Sequence, residues 1–264
     1  MQLRSGDAEL FYEARGKGPA LFLLHPFPTN HRFWNAIAPA LADRYRLIIP
    51  DLRAHGASEP GSGPVTMGRH AADLDALCRA NQIENGIFFG VSIGGYAMFE
   101  LWRKSRERVK ALVLCDTRAQ ADTPEGKTAR LQAAADVETK GPNEYLDGML
   151  FKLVGESTRR NRPDLARAAR AMMAEMTVAG IASTLRGMAE RPDSVPMLST
   201  IDVPTLVLVG EEDTLTPAAD AELMQRAIKG SKFARIPRAG HYAPFEQPEA
   251  VLKVLRPFLD SLPR

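Results

Sequence analysis

The pentapeptide Gly90-Val91-Ser92-Ile93-Gly94 lies between an apolar run, Ile87-Phe88-Phe89, and a stretch with helical patterning, Tyr96-Ala97-Met98-Phe99-Glu100-Leu101-Trp102. A serine between two glycines at a strand-to-helix junction has the form of a nucleophile elbow, a turn sharp enough to hold the serine in a strained backbone. Glycine at 90 and 94 has no Cβ to collide with the neighbouring strand or helix. The turn exposes the Ser92 hydroxyl and points the Ile93 N–H into the same space, at a helix start where negative charge is favoured. Taken alone, the motif also fits a glycine-rich turn with no chemistry, so its reading depends on a base and an acid farther along the chain.

Working outward, the residues around the elbow alternate between short apolar runs and helical patterns. Gln2 to Arg15 alternates like a strand pair turning at Ser5-Gly6-Asp7. Unbroken apolar runs follow at Ala20-Leu21-Phe22-Leu23-Leu24, Leu47-Ile48-Ile49, Gly86 to Val91, Val109 to Cys115 and Thr205 to Val209, with a weaker one at Lys232 to Ile236. Such runs suit strands covered on both faces. Helical patterns lie between them at His31 to Ala42, Met67 to Asn81, Ile93 to Lys104, Pro217 to Lys229 and Pro248 to Leu262. This rhythm predicts an α/β fold with a mostly parallel central sheet and helices on both faces. It breaks once, between Thr117 and about Thr200, where Ala-, Arg- and Met-rich text favours helix throughout. Residues 1–117 and 200–264 are therefore expected to form the core, and 118–199 an inserted helical lid.

In open α/β sheets, ligands bind beyond the carboxyl ends of the strands. The polar residues at the ends of the runs are His25, Asp51, Ser92, Asp116, Asp213 and His241. A serine nucleophile needs a base to take its proton and an acid to orient the base. His241, in Ala239-Gly240-His241-Tyr242 beyond the last run, is the candidate base. Asp213, in Gly210-Glu211-Glu212-Asp213-Thr214-Leu215-Thr216-Pro217, is the candidate acid, with Asp116 as its rival at the end of the preceding run. Ser, Asp, His is the chain order of serine hydrolases built on such a sheet.

Length, composition and charge fit this reading. The chain has 264 residues, 45% hydrophobic and 25% charged, with a formal net charge of +2. That is ordinary for a globular domain with a sizeable core, and too mild to imply a nucleic-acid partner. No run approaches the length of a membrane span, and the start lacks a basic-then-apolar leader pattern. The two cysteines, Cys78 and Cys115, sit in apolar text without metal-ligand spacing and suit a reducing compartment. The expectation is a cytoplasmic protein without membrane or nucleic-acid partners, a monomer or small homo-oligomer. No His-x-x-x-His spacing is present, so neither a metal nor another cofactor is expected.

With these motifs in place, the chain resembles the α/β-hydrolase superfamily over nearly its whole length. The likeness rests on Leu23-Leu24-His25-Pro26-Phe27-Pro28, Asp51-Leu52-Arg53-Ala54-His55-Gly56-Ala57-Ser58, the elbow, the Gly210…Asp213…Pro217 loop, and Gly240-His241 followed by Phe245-Glu246-Gln247-Pro248. In style it is similar to small bacterial esterases, enol-lactonases, carbon–carbon bond hydrolases and cofactor-free perhydrolases. The resemblance implies an oxyanion hole made by the N–H groups of Phe27 and Ile93. Here His25-Pro26 replaces the family's frequent His-Gly, and the expected donor, Phe27, keeps its N–H. Phe27, Ile93, Trp34 and Tyr242 flank the site as candidate apolar substrate-binding walls. The methionines Met149, Met172, Met173, Met176, Met188 and Met197 supply lid packing or an adaptable pocket roof. His25 and His55 read as architectural.

The implied activity is hydrolysis of a small, largely apolar carboxylic ester or lactone by a Ser92–His241–Asp213 triad through an acyl-enzyme. Carbon–carbon hydrolase, enol-lactonase, hydroxynitrile lyase and perhydrolase chemistry use the same framework. Haloalkane dehalogenase and epoxide hydrolase relatives need a carboxylate where Ser92 stands. A ligand-binding receptor on a hydrolase scaffold is the reading from another class.

Overall fold

The structure, a computed structural model, describes residues 1–263. Eight strands, β1 (Gln2–Ser5), β2 (Ala8–Arg15), β3 (Ala20–Leu24), β4 (Arg46–Pro50), β5 (Gly86–Val91), β6 (Val109–Cys115), β7 (Thr205–Gly210) and β8 (Lys232–Ile236), form one sheet. Their order is β1-β2-β4-β3-β5-β6-β7-β8. Only the β1–β2 and β2–β4 pairs are antiparallel; from β4 to β8 the sheet is parallel. Every residue of β5 and β7 is buried, as continuous apolar runs demand when helices cover both faces. β3 lies between β4 and β5, so the strand order reverses there. The loops after β3 and β5 open onto that crevice, where doubly wound sheets bind ligands.

Core helices flank the sheet: α1 (Met67–Ala80), α2 (Ile93–Ser105), then, nearer the C-terminus, α8, α9 and α10 (Ala218–Ala227, Ala243–Glu246 and Pro248–Asp260). The first ten residues of α2 are all buried, which makes it the central helix against the sheet. Between β6 and β7 the chain makes five helices and no strand: α3 (Pro124–Lys140), α4 (Asn143–Leu153), α5 (Glu156–Asn161), α6 (Pro163–Met173) and α7 (Val178–Ala189). α3 and α7 pack on each other; Thr123 and Thr177 cap them, their hydroxyls accepting the Gly126 and Gly180 N–H groups at 3.1 and 3.0 Å. Among the described residues, no helix is long and apolar enough to cross a membrane.

One expected helix is corrected. His31 to Ala42 forms two short 3-10 turns, His31–Trp34 and Ala38–Ala40, instead of a continuous α-helix. The bonds there run over three residues, with the Phe33, Asn35 and Ile37 N–H groups donating to the Asn30, Arg32 and Trp34 carbonyls. Pro39 lacks an N–H, and its ring opposes an α-helical path through this segment. The apolar periodicity was still meaningful, because Phe33, Trp34, Ile37, Ala38 and Leu41 are all buried.

Candidate active site

β5 delivers Ser92 to the crevice with φ 54° and ψ −114°, in the region an L-residue rarely adopts. The Ser92 N–H donates to the Cys115 carbonyl at 3.1 Å, and the Ser92 carbonyl accepts the Thr117 hydroxyl at 2.8 Å, so the turn is tied to the end of β6 and to the segment just after it. The flanking glycines are required by space. A Cβ at Gly90 would stand 2.6 Å from the Gly94 carbonyl carbon, and one at Gly94 would stand 2.6 Å from the Leu24 carbonyl oxygen.

His241 and Asp213 come together from the loops after β8 and β7. His241 Nδ1 lies 2.8 Å from Asp213 Oδ2. The other carboxylate oxygen accepts the Leu215 and Thr216 N–H groups at 2.8 and 3.0 Å, and the Thr216 hydroxyl donates to Oδ2 at 2.5 Å. This carboxylate is an acceptor throughout, so Nδ1 carries the proton and Nε2 keeps its lone pair. Burial opposes the charge on Asp213, but the His241 charge and hydrogen bond, with the Thr216 donors, outweigh it and hold the carboxyl below its ordinary range. Burial likewise pushes His241 down, yet the Asp213 charge and hydrogen bond prevail and raise it above 6.5.

Asp116 is placed differently. It accepts the Gly210 N–H at 2.7 Å, the Cys115 thiol at 3.2 Å and the Ala243 N–H at 3.3 Å. Burial, reinforced by the Asp213 charge, pushes its pKa well above the ordinary carboxylate value, against the lowering by His241 and its own hydrogen-bond donors. Its bonds join the end of β7 to the start of α9, beneath the two loops that carry Asp213 and His241. Glu246 secures the same region from the other side. It accepts the Gly240 and Gly155 N–H groups, each at 2.9 Å, and so links the His241 loop to the segment entering α5.

Phe27 follows β3. His25 fixes its loop: Nε2 accepts the Leu52 N–H at 2.9 Å and Nδ1 donates to the Pro26 carbonyl at 3.0 Å. Burial, with repulsion from His55, depresses His25 to about 3, so it stays neutral and architectural. His55 donates to the Arg53 carbonyl at 2.9 Å, and His31 pairs with Asp51 at 2.7 Å. Among the described residues the N–H groups of Phe27 and Ile93 have no acceptor, although both residues are buried. Phe27 lines the cavity that Ser92 also lines, and Ile93 follows Ser92 as the first residue of α2.

Ser92, His241 and Phe27 line one cavity of about 440 Å³. No hydrogen bond joins Ser92 Oγ to His241 among the described residues, a common state of ligand-free hydrolytic sites. The side chains of Ile93, Trp34 and Tyr242, expected as further apolar walls, are not among the lining residues. All three are fully buried: Trp34 packs edge-on against Phe89, and the Tyr242 hydroxyl donates to the Phe27 carbonyl at 3.4 Å. Of the methionines singled out in 118–199, Met149 and Met188 line the cavity.

The cavity also has a charged side that sequence reading missed. Arg118, Asp122, Arg130 and Lys152 line it, with Tyr96 and Tyr145. The signal was available in part. Gly126, Ala129, Arg130 and Ala133 share one face of α3, and Tyr145, Met149 and Lys152 share one face of α4, at helical spacing. Spacing could not say that these faces turn toward Ser92.

Comparison with known proteins gives a consistent picture. A family model described as the alpha/beta hydrolase fold matches residues 19–248. The solved structure of a thermophilic esterase from Thermogutta terrifontis superposes with a TM-score of 0.95 at 39% identity, covering 98% of this chain and 97% of that one. An enol-lactonase from Burkholderia xenovorans LB400 superposes at 0.92 with 25% identity, covering 99% and 100%. Among curated proteins, 3-oxoadipate enol-lactonase 1 of Acinetobacter baylyi is 28% identical over 92% of this chain and 90% of its own length.

Proposed function

The chain belongs to the α/β-hydrolase fold family, and from that membership we infer a serine hydrolase that cleaves a small carboxylic ester or lactone through Ser92, His241 and Asp213. The observation that carries the reading is the 2.8 Å contact of His241 Nδ1 with Asp213 beside a strained Ser92 on the same cavity. His241 Nε2 takes the Ser92 proton as Oγ attacks the carbonyl carbon. The oxyanion is received by the Phe27 and Ile93 N–H groups, the latter at the positive end of α2. Protonated His241 gives its proton to the leaving alkoxide, and water then releases the acyl group by the same route. In this reading residues 118–199 are a lid: α3, α4 and α7 roof the cavity with Ala133, Met149 and Met188.

A fluorophosphonate probe tests the nucleophile without assuming a substrate. Stoichiometric labelling on the peptide that contains Ser92, together with steady turnover of short p-nitrophenyl esters or lactones, is the expected result. Binding of esters with neither labelling nor turnover would favour a receptor on this scaffold.

The pH dependence follows from His241. The base must be neutral, and its folded-state pKa is raised from 6.5, so kcat/KM rises with pH through a midpoint above 6.5. The linked contribution to stability has the opposite sense: it is complete below pH 6.5 and is lost as pH rises through the folded-state value. A profile from about pH 5 to about 9 checks the direction, and a midpoint under 6.5 contradicts it.

A further inference from the structure

We propose that the catalytic cavity binds a carboxylate carried by the substrate, held by Lys152 and Arg130, so that the ester or lactone hydrolysed here is an anion. This rests on the serine-hydrolase reading above and narrows its substrate class. It departs from the apolar substrate that the sequence suggested.

The charges around the cavity do not balance. Arg130 and Arg191 share one carboxylate, Asp122, with Arg130 Nε at 2.5 Å and Arg191 Nη2 at 3.0 Å. Two guanidinium groups against one carboxylate leave one positive charge uncompensated. Arg191 is buried over the face of Tyr96, 4.0 Å from the ring centroid, and its Nε and Nη1 have no acceptor. Lys152 lines the same cavity and forms no ion pair among the described residues, while Arg118 is matched by Asp220 at 3.2 Å. The positive side therefore exceeds the negative by two charges before the His241–Asp213 pair is counted. Arg191 is buried and Arg130 only partly exposed, so their shared excess charge is costly and an anion bound there offsets it, while the exposed Lys152 adds attraction without a burial cost.

Position supports the same assignment. Besides its Asp122 bonds, Arg130 contacts Met188 Sδ at 3.6 Å, which leaves guanidinium protons free for a ligand. Tyr145, beside Arg130 on the cavity wall, has its ring 6.4 Å from that of Phe27, the expected oxyanion loop. A carboxylate on this cationic side and a reacting carbonyl at Ser92 would occupy one 440 Å³ space, the scale of a single small molecule.

The test compares p-nitrophenyl half-esters of succinate, glutarate and adipate with uncharged p-nitrophenyl esters of equal chain length. For at least one length, wild-type kcat/KM should favour the charged ester by about tenfold, the scale of one charge-assisted hydrogen bond. Lys152→Gln should lower that ratio several-fold, Lys152→Glu should bring it below unity, and Arg130→Gln should lower it mainly through KM. Lys152 is exposed, so its variants fold even if loss of the Arg130–Asp122 pair does not permit folding. Lys17→Glu, exposed ahead of β3 at the opposite end of the sheet, should leave the ratio unchanged. A wild-type ratio at or below unity for every length overturns the proposal, as does an equal response to Lys152→Glu and Lys17→Glu. If neutral esters turn over in a Ser92-dependent way, those outcomes reject only the carboxylate subsite. If neither ester class turns over, the hydrolase reading itself fails.

Discussion

Ser92→Ala is expected to lower kcat/KM for short p-nitrophenyl esters by about 10⁴-fold to 10⁶-fold, with little change in melting temperature. In the proposed triad nucleophile, base and acid act as one unit, so removing one member would leave only what binding and the oxyanion donors supply. The fold should tolerate the change because the tethers of the elbow are backbone groups. The Ser92 N–H and carbonyl bond to Cys115 and Thr117, and alanine keeps both. Alanine also accepts the same φ of 54° at much the same strain as serine. Steady-state assays with a thermal melt separate the two effects. Retention of activity within about tenfold, with the melt unchanged, would remove Ser92 from the chemistry.

The contrast between that elbow and the cavity beyond it explains what the sequence could reveal. Two glycines flanking a serine at a strand–helix junction have a local steric cause, and the backbone contacts awaiting a Cβ at 90 or 94 are that cause in space. Likewise, the strands were readable because parallel strands buried on both faces must be apolar throughout. The preference for Asp213 over Asp116 rested on the Gly210 to Pro217 loop pattern alone. Both end strands, and chain order does not say which carboxyl reaches an imidazole two loops away. The cations at 118, 130 and 152 were less readable still. A surface helix and a cavity-lining helix carry the same spacing, and only packing of α3 and α4 over the strand ends turns Arg130 and Lys152 toward Ser92. Trp34 and Tyr242 erred in the opposite direction. Proximity in sequence to site loops suggested walls, whereas their size makes them core.

Asp213→Asn and Asp116→Asn should differ by orders of magnitude although both remove a buried carboxyl in the same region. At 213 the carboxylate accepts from His241 Nδ1 at 2.8 Å and from the Thr216 hydroxyl. An amide there either sets its NH₂ against both of those donors, or keeps its oxygen for them and turns the NH₂ onto the Leu215 and Thr216 N–H groups that the other oxygen accepted, so the imidazole loses its tautomer or the loop that orients it is disturbed. The stabilisation of the imidazolium disappears as well. A fall of about 10⁴-fold in kcat is expected. The acid limb of the pH profile should move down, because burial, which lowers the pKa of His241, is no longer outweighed. At 116 burial already disfavours the charged carboxylate, so an amide costs less there than at 213. Its oxygen can keep the 2.7 Å bond from the Gly210 N–H, its NH₂ can face Cys115 Sγ, and only the long Ala243 contact is given up. One weakened hydrogen bond costs about 1 kcal/mol of stability and should change kcat less than tenfold. Measuring kcat, the acid-limb midpoint and the melting temperature for both variants decides the matter. A large kcat loss at 116 with a small one at 213 would transfer the orienting role to Asp116. Comparable small losses would mean that neither carboxyl orients His241 in the rate-limiting step.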